Sequence, residues 1–376
     1  MIKSIQIKNL FGLYSYDLTI KDGPEDDIRF ITGPNGYGKT TLLKLLEYIY
    51  TQDLNRLIEI PFDDITIKYE SGEQLIVTQK KTFEEDDNID ESLLIDSTLN
   101  FKFLRGDTLI EEDTWNLPAK KNDIQMPNLK PFLYSFPLYY IKDDRLRHKV
   151  NDNTVDYNAS LLQKELQSLN VLMTQSLWKS NDASFQTISA EEYDCKFKEI
   201  LPLFNELVDD GFEIEGIVTS NYQELNDKSI KMFPLLYEFL IQHKSFINRL
   251  AVFKKIVLDL CFADKDFHIN KEYGYRFVMR DDVKTILLGE NLSSGEQHLL
   301  ILIYDLLFNA QDDSLVLIDE PELSFHLAWQ SDFLMNVRKI TRLRKLQLIL
   351  CTHSVAIFDH DFSITQDLYD LRRTRE

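Results

Sequence analysis

The sequence has few cysteines and no arrangement of them that would make a disulfide framework or a zinc site. Cys195, Cys261 and Cys351 lie far apart, and none belongs to a Cys-x-x-Cys pair. We therefore expect buried free thiols in a reducing compartment. No apolar run is long enough to cross a membrane, and the segment after Met1 has no secretion-signal core. The sequence thus predicts a cytoplasmic protein with no membrane partner.

The sequence also lacks an excess of positive charge. It contains 42 lysines and arginines against 62 aspartates and glutamates, a formal net charge of −20. This charge disfavours unspecific binding to nucleic acid, so nucleic-acid contact would require a local basic patch. The best local candidate is the segment 338–345, which can equally be an ordinary solvated helix face.

A glycine-rich stretch near the N-terminus carries the strongest chemical signal. It matches Gly-x-x-x-x-Gly-Lys-[Ser/Thr], follows an apolar run at 28–32 and precedes a helical pattern. In this context the glycines admit phosphate oxygens to backbone N–H groups, the lysine reaches the β- and γ-phosphates, and the hydroxyl binds Mg²⁺. The predicted nucleotide-binding residues are Gly33, Pro34, Asn35, Gly36, Tyr37, Gly38, Lys39, Thr40 and Thr41.

A second apolar run, at 314–318, ends in two acids, as a Walker B segment does. We expect Asp319 to bind Mg²⁺ together with Thr40, because both lie beside the phosphate loop in such folds. Glu320 is predicted to polarise the water that attacks the γ-phosphate, with Lys39 as the second catalytic residue.

The phosphate-binding motif, together with the hydrophobic periodicity along the chain, predicts an α/β P-loop NTPase with a mixed sheet core, a flanking antiparallel β-subdomain and a helical insertion. The predicted parts are an N-terminal lobe at 1–150, the insertion at 151–271 and a C-terminal lobe at 272–376. Short strands and turns are expected over 100–128, and a strand pair at 273–279 and 283–288.

The segment 292–297, Leu-Ser-Ser-Gly-Glu-Gln, opens an apolar helix. Ser293, Ser294 and Gly295 could form an anion site at the start of this helix. The alternative is a capping box, in which Glu296 bonds back to Ser293.

The order of these segments, followed by Cys-Thr-His-Ser at 351–354, resembles that of ABC-type ATPase heads. The resemblance implies that Ser293–Gly295 contact the γ-phosphate held by the opposite subunit of a dimer. It also implies that His353 is the switch histidine that contacts the γ-phosphate.

The run 319–330 is similar to that of the SMC-like, overcoming-lysogenisation-defect and prokaryotic AAA-15/AAA-21 ATPases. The resemblance implies that Glu322–Ser324 form a D-loop at the dimer interface and that His326 is structural. Arg145 resembles an arginine of defence-associated members. Gln79 and Gln125 are the candidates for the Q-loop.

The resemblance implies a slow ATPase that dimerises on ATP. The nuclease domain of some members follows the switch histidine, and barely one helix follows His353 here. We therefore expect a sensor or scaffold for a separately encoded effector, a nuclease or toxin, in antiphage defence. The alternatives are an SMC-like DNA repair or recombination ATPase, a transporter motor subunit, and a nucleotide-binding scaffold with negligible turnover.

Overall fold

The computed structural model describes residues 1–23, 27–84, 93–117, 126–142, 153–178, 188–212, 214, 222–260, 262, 264–282, 285–323 and 325–372. The chain forms two units, one of Met1–Asp143 with Asn309–Glu376 and the other of Asp144–Phe308. The three-part division at residues 150 and 271 stays a prediction.

The first unit contains two sheets of described strands. The antiparallel sheet has the order β2-β1-β4-β5-β6-β7, and the parallel sheet has the order β14-β3-β13-β12-β8. The elements in chain order are β1 (Ile2–Leu10), β2 (Tyr14–Thr19), β3 (Ile28–Thr32), α1 (Lys39–Thr51), α2 (Leu54–Glu59), β4 (Asp64–Tyr69), β5 (Glu73–Glu84), β6 (Leu93–Arg105), β7 (Thr108–Leu117), α3 (Leu129–Ser135), β8 (Leu138–Ile141), β12 (Leu315–Asp319), α9 (Leu327–Arg344), β13 (Gln347–Cys351), β14 (Thr365–Asp367) and α10 (Leu368–Leu371).

The central strands of the parallel sheet are short apolar runs because both of their faces are covered. All five residues of β12 and of β13 are buried. Helix α1 presents an apolar face, including Leu42, Leu46 and Ile49, to a core that it shares with residues of both sheets. This packing fixes the position of α1 and therefore of its first turn, which directly follows the glycine-rich stretch.

The second unit combines helices with a small antiparallel sheet of order β11-β10-β9. Phe253, Tyr275 and Tyr304 lie in its aromatic core. Its elements are α4 (Thr154–Trp178), α5 (Ala190–Asp209), α6 (Asp227–Gln242), α7 (Lys244–Asp259), β9 (Lys265–Asn270), β10 (Gly274–Met279), β11 (Ile286–Leu287) and α8 (Ser294–Tyr304).

The predicted fold class is confirmed, with parallel pairing confined to one sheet and antiparallel pairing to the other two. Three details of the prediction are wrong. The segment 100–128 holds the last six residues of β6 and all of β7, and both strands are long; in β6, Leu99, Phe101 and Phe103 are buried at every second position. Strand β9 was not predicted. Cys195 is exposed, whereas Cys351 is buried as expected; Cys261 lies outside the described residues.

No helix in the described part of the chain combines the length and hydropathy that crossing a membrane requires.

Gln347 joins the two sheets of the first unit. Its side chain is fully buried, its Oε1 accepts from the Ile2 N–H at 2.7 Å, and its Nε2 donates to the Ile2 carbonyl oxygen at 2.7 Å. The amide thus pairs with two buried backbone groups at the start of β1. Leaving such groups without a hydrogen-bond partner lowers the free energy of unfolding.

We predict that Gln347→Leu lowers the free energy of unfolding by about 3 kcal/mol, because it leaves both Ile2 groups buried and unpaired. Urea unfolding measures the effect. Gln366→Leu is the matched control, since Gln366 accepts from the Thr19 N–H at an exposed position where water can replace it. A loss at residue 347 no larger than that at residue 366 would contradict the assignment.

Candidate functional site

Three parallel strands end at one edge of their sheet. In the register of the sheet, Asp319 of β12 lies opposite Cys351 of β13, and Cys351 lies opposite Ile31 of β3. The segments that follow these three strands therefore meet at the carboxyl edge, where open α/β sheets bind their ligands.

The segment after β3 has a backbone suited to phosphate oxygens. Gly33, Gly36 and Gly38 have φ values of 139°, 85° and 88°, which residues with a Cβ rarely adopt. A Cβ at Gly38 would also lie 3.0 Å from Leu10 Cδ2. Gly38 is the N-cap of α1, and the first N–H groups of a helix have no intrahelical acceptor and favour an anion.

The Lys39 ammonium is the positive centre of this edge. Lys39 is 6 % exposed, and its Nζ donates to the Gly33 carbonyl oxygen at 2.9 Å and lies 2.7 Å from His353 Nε2. Because an ammonium can only donate, this contact requires an unprotonated Nε2. Burial lowers the pKa of His353, and the Lys39 charge lowers it further, which agrees with that state.

Thr40 and Asp319 supply oxygen ligands at the same edge. Thr40 Oγ1 donates to Asp319 Oδ1 at 3.3 Å, and Tyr140 OH donates to Asp319 Oδ2 at 3.4 Å. Burial raises the pKa of Tyr140 well above its usual value, and the Asp319 charge adds to the rise, so the hydroxyl remains a donor. A carboxylate beside a hydroxyl fits Mg²⁺, which prefers hard oxygen ligands.

Glu320 has an unusual backbone conformation, with a φ of 44°. Its N–H donates to the Cys351 carbonyl oxygen at 3.0 Å, and its Oε1 lies 3.4 Å from His353 Nε2. Positive φ in a non-glycine residue is uncommon and clusters at functional sites. Burial raises the pKa of Glu320 to about 7, with the Glu322 carboxylate adding to the rise and Lys39 opposing it. Such a carboxyl group can accept a proton near neutral pH.

Glu322 holds the loop that carries His353. Its Oε1 accepts from Thr352 Oγ1 at 2.5 Å, from the His353 N–H at 2.9 Å and from the Ser354 N–H at 3.1 Å. One carboxylate oxygen therefore anchors three consecutive residues after β13. Sequence analysis identified Glu322 only as part of a D-loop, and it assigned no role to Tyr140.

Ser293, Ser294 and Gly295 begin helix α8 in the second unit. Glu296 N–H donates to Ser293 Oγ at 3.3 Å, and Ser293 N–H donates to Glu296 Oε2 at 2.7 Å. The capping box is therefore present. Lys265 Nζ donates to Glu296 Oε1 at 2.6 Å, which holds the glutamate from its other side. The box does not engage the N–H groups of Ser294 and Gly295, so it does not exclude an anion site.

Other predicted positions have structural partners or lie outside the described residues. His326 is the N-cap of α9, as its structural role implies, and its Nδ1 accepts from the Ala328 N–H. Gln79 is buried, accepts from the Phe62 N–H and donates to the Ile58 carbonyl oxygen, so it holds the segment before β4. The positions outside the described residues are Gln125, Arg145 and Ser324.

Two arginines of the basic segment 338–345 form ion pairs within the first unit. Arg344 is buried and pairs with Asp312, and Arg338 Nη2 donates to Asp361 Oδ2 at 3.0 Å. These two cations are thus paired with carboxylates of the same unit.

Residues 275–359 match the AAA-21 family, described as "AAA domain, putative AbiEii toxin, Type IV TA system". This range includes the segment 292–297, called the signature segment below, the Walker B acids Asp319 and Glu320, and His353. The resemblance to this group of ATPases is confirmed.

The Septu protein PtuA of Bacillus thuringiensis is 23 % identical to this chain, over 94 % of this chain and 72 % of its own length. Two solved structures are also similar. One is an Smc head bound to the C-winged helix domain of ScpA, with 12 % identity and a TM-score of 0.39. The other is an Smc head with an extended coiled coil bound to the C-terminal domain of ScpA from Pyrococcus furiosus, with 13 % identity and a TM-score of 0.40. Each alignment covers 95 % of this chain and 90 % of the other.

We predict that Glu322→Ala speeds hydrogen exchange of the His353 and Ser354 amides by about tenfold or more, because hydrogen bonds to a charged acceptor are lost. Exchange measured by mass spectrometry on peptides covering 352–354 reports the effect. Glu322→Gln keeps an acceptor oxygen and is expected to retain most of the protection. Equal exchange in the alanine variant and the wild type would show that Glu322 does not anchor the loop.

Proposed function

We propose that this protein is a cytoplasmic ATPase that closes as a dimer on ATP and serves a separately encoded effector in antiphage defence. The observation that carries the ATPase proposal is the convergence of Lys39, Thr40, Asp319, Glu320 and His353 at one sheet edge. An ammonium, a hydroxyl–carboxylate pair, a second carboxylate and an imidazole are the groups that phosphoryl transfer to water requires.

The phosphate loop would bind ATP through its N–H groups and Lys39. Phosphate oxygens carry more negative charge than the Gly33 carbonyl oxygen or His353 Nε2, so they are the stronger acceptors for the ammonium. Mg²⁺ held by Thr40 and Asp319 would neutralise charge on the phosphates. When the Lys39 ammonium donates to the phosphates instead of to His353 Nε2, the His353 ring becomes available to contact the γ-phosphate.

Hydrolysis then requires a base beside the γ-phosphate. Glu320 accepts a proton from a water molecule as the water oxygen bonds to the γ-phosphorus. The bond from that phosphorus to the β,γ-bridging oxygen breaks, and ADP and phosphate are the products. Glu322 keeps the His353 loop in place during this step through the three hydrogen bonds to its Oε1.

The second copy would complete each site with Ser293–Gly295. The N–H groups of Ser294 and Gly295 lie at the positive end of α8 and are not used by the capping box. Two ATP molecules bound between two chains favour the closed dimer, and hydrolysis favours its opening. The resemblance to ABC-type heads supports this arrangement.

The effector proposal rests on the relatives. The curated relative is named a Septu protein, and the matched family's description names a toxin of a toxin–antitoxin system. These names support a defence role in which the ATPase senses or scaffolds and a nuclease or toxin acts. The net charge of −20 favours a protein partner over direct binding of nucleic acid.

We predict that Glu320→Gln lowers the rate of ATP hydrolysis by about 100-fold or more and accumulates an ATP-bound dimer, because the site binds nucleotide but lacks its base. Phosphate release and light scattering measure the two effects. Glu59→Gln, the same change at an exposed position of α2, is the control and is expected to behave as wild type. A scaffold with negligible turnover would show no change on either measurement.

We also predict that a nuclease or toxin co-purifies from native cells with the tagged Glu320→Gln variant. Lys39→Ala is expected to retain much less of that effector, because it cannot form the ATP-bound state. Mass spectrometry identifies and quantifies the retained protein. Tight, ATP-dependent binding of DNA by the purified chain, without such a partner, would favour the repair ATPase instead.

A further inference from the structure

Tyr37 is the large side chain at the tip of the phosphate loop. It lies between Gly36 and Gly38, both at positive φ, where the backbone has little intrinsic stiffness. On one side the loop is held by β2, since Tyr16 OH donates to the Tyr37 carbonyl oxygen at 2.7 Å and the Tyr14 ring stacks on Tyr37 at 5.3 Å.

The other side of the loop is held by residues 365–372, here called the C-terminal segment. Strand β14 of this segment pairs with β3, and Thr32 Oγ1 donates to Asp367 Oδ2 at 2.8 Å. Leu368 is fully buried, and its Cβ would lie 3.3 Å from a Cβ built at Gly33. The segment therefore packs directly against the first residue of the loop.

Arg372 extends this contact to the tip of the loop. Its Nη1 donates to Tyr37 OH at 2.7 Å, and its guanidinium lies 4.0 Å from the centre of the Tyr369 ring. The Tyr369 ring in turn lies 5.8 Å from the Tyr37 ring. A hydrogen bond, a cation–π contact and a ring contact thus connect the C-terminal segment to the loop.

We propose that Arg372 and Tyr369 are positioning residues that hold the phosphate loop through Tyr37 and thereby set its affinity for nucleotide. This inference rests on the proposed binding of ATP at the loop. A loop already ordered in its binding conformation loses less conformational entropy when phosphate binds. Tyr369 is 47 % exposed, so the contact that holds the loop lies at the surface of the unit.

Two substitutions remove the same hydrogen bond from opposite ends. Tyr37→Phe keeps the ring and its packing, and Arg372→Gln removes the guanidinium. In nucleotide-free protein we expect both variants to exchange the loop amides at 33–40 faster than the wild type. In titrations with a fluorescent ATP analogue we expect each to raise the Kd about fivefold.

The double variant, Tyr37→Phe with Arg372→Gln, tests whether the two residues act through their shared contact or independently. If the two residues act through one contact, the double variant raises the Kd by about as much as either single variant rather than by the product of both. Arg338→Gln is the matched control, since it removes a comparable surface ion pair with Asp361 in the same unit and is expected to leave exchange and Kd unchanged.

The two readouts distinguish this inference from the proposed function. Loop exchange unchanged in both single variants would overturn the inference, as would multiplied effects on the Kd in the double variant. If the wild type does not bind the ATP analogue, the proposed function fails and so does the effect on affinity. Faster loop exchange in the variants would then establish only that the C-terminal segment orders the loop.

Discussion

The buried Lys39 ammonium is the interaction on which the candidate site depends. A positive charge with so little exposure must be met by acceptors, and the chain offers the Gly33 carbonyl oxygen and His353 Nε2. These acceptors come from two different crossovers of the parallel sheet. The ammonium therefore connects the phosphate loop to the loop that carries His353, and Glu320 Oε1 lies 3.4 Å from the same His353 nitrogen.

Much of this site could be predicted from the sequence because its elements are local. Glycines, a lysine and a threonine at fixed spacing after an apolar run specify a loop between a strand and a helix. Two acids directly after an apolar run, in a chain that also has a phosphate loop, indicate the carboxyl end of a strand beside that loop. These patterns depend on neighbours in the chain, and they locate Lys39, Thr40, Asp319 and Glu320 without knowledge of the fold.

The missed features depend on contacts between distant residues. Tyr140 bonds to Asp319 only because β8 pairs with β12, and Arg372 reaches Tyr37 only because β14 pairs with β3. Nothing in the local sequence distinguishes Glu322 from other glutamates. Its three donors belong to Thr352–Ser354, which reach it only because they follow β13 in the folded sheet. The length of β6 was missed for a similar reason, since its polar alternate positions become strand residues through pairing with β5 and β7.

In the signature segment, the capping box and the proposed contact to a phosphate are compatible. The capping box fixes Ser293 and Glu296, and Lys265 fixes the glutamate, which together make the start of α8 rigid. A rigid helix start with N–H groups left outside the box is a suitable donor of hydrogen bonds to a phosphate. The capping box can therefore serve the proposed contact to a second copy.

The most direct test of the shared site is complementation between two inactive variants. Lys39→Ala disables the phosphate loop but leaves the signature segment intact, whereas Ser293→Arg does the reverse. If ATP is bound between two chains, mixing the variants in equal amounts restores hydrolysis to about one quarter of the wild-type rate, because half of the dimers hold one complete site of two. A mixture that stays as inactive as its components would contradict the account.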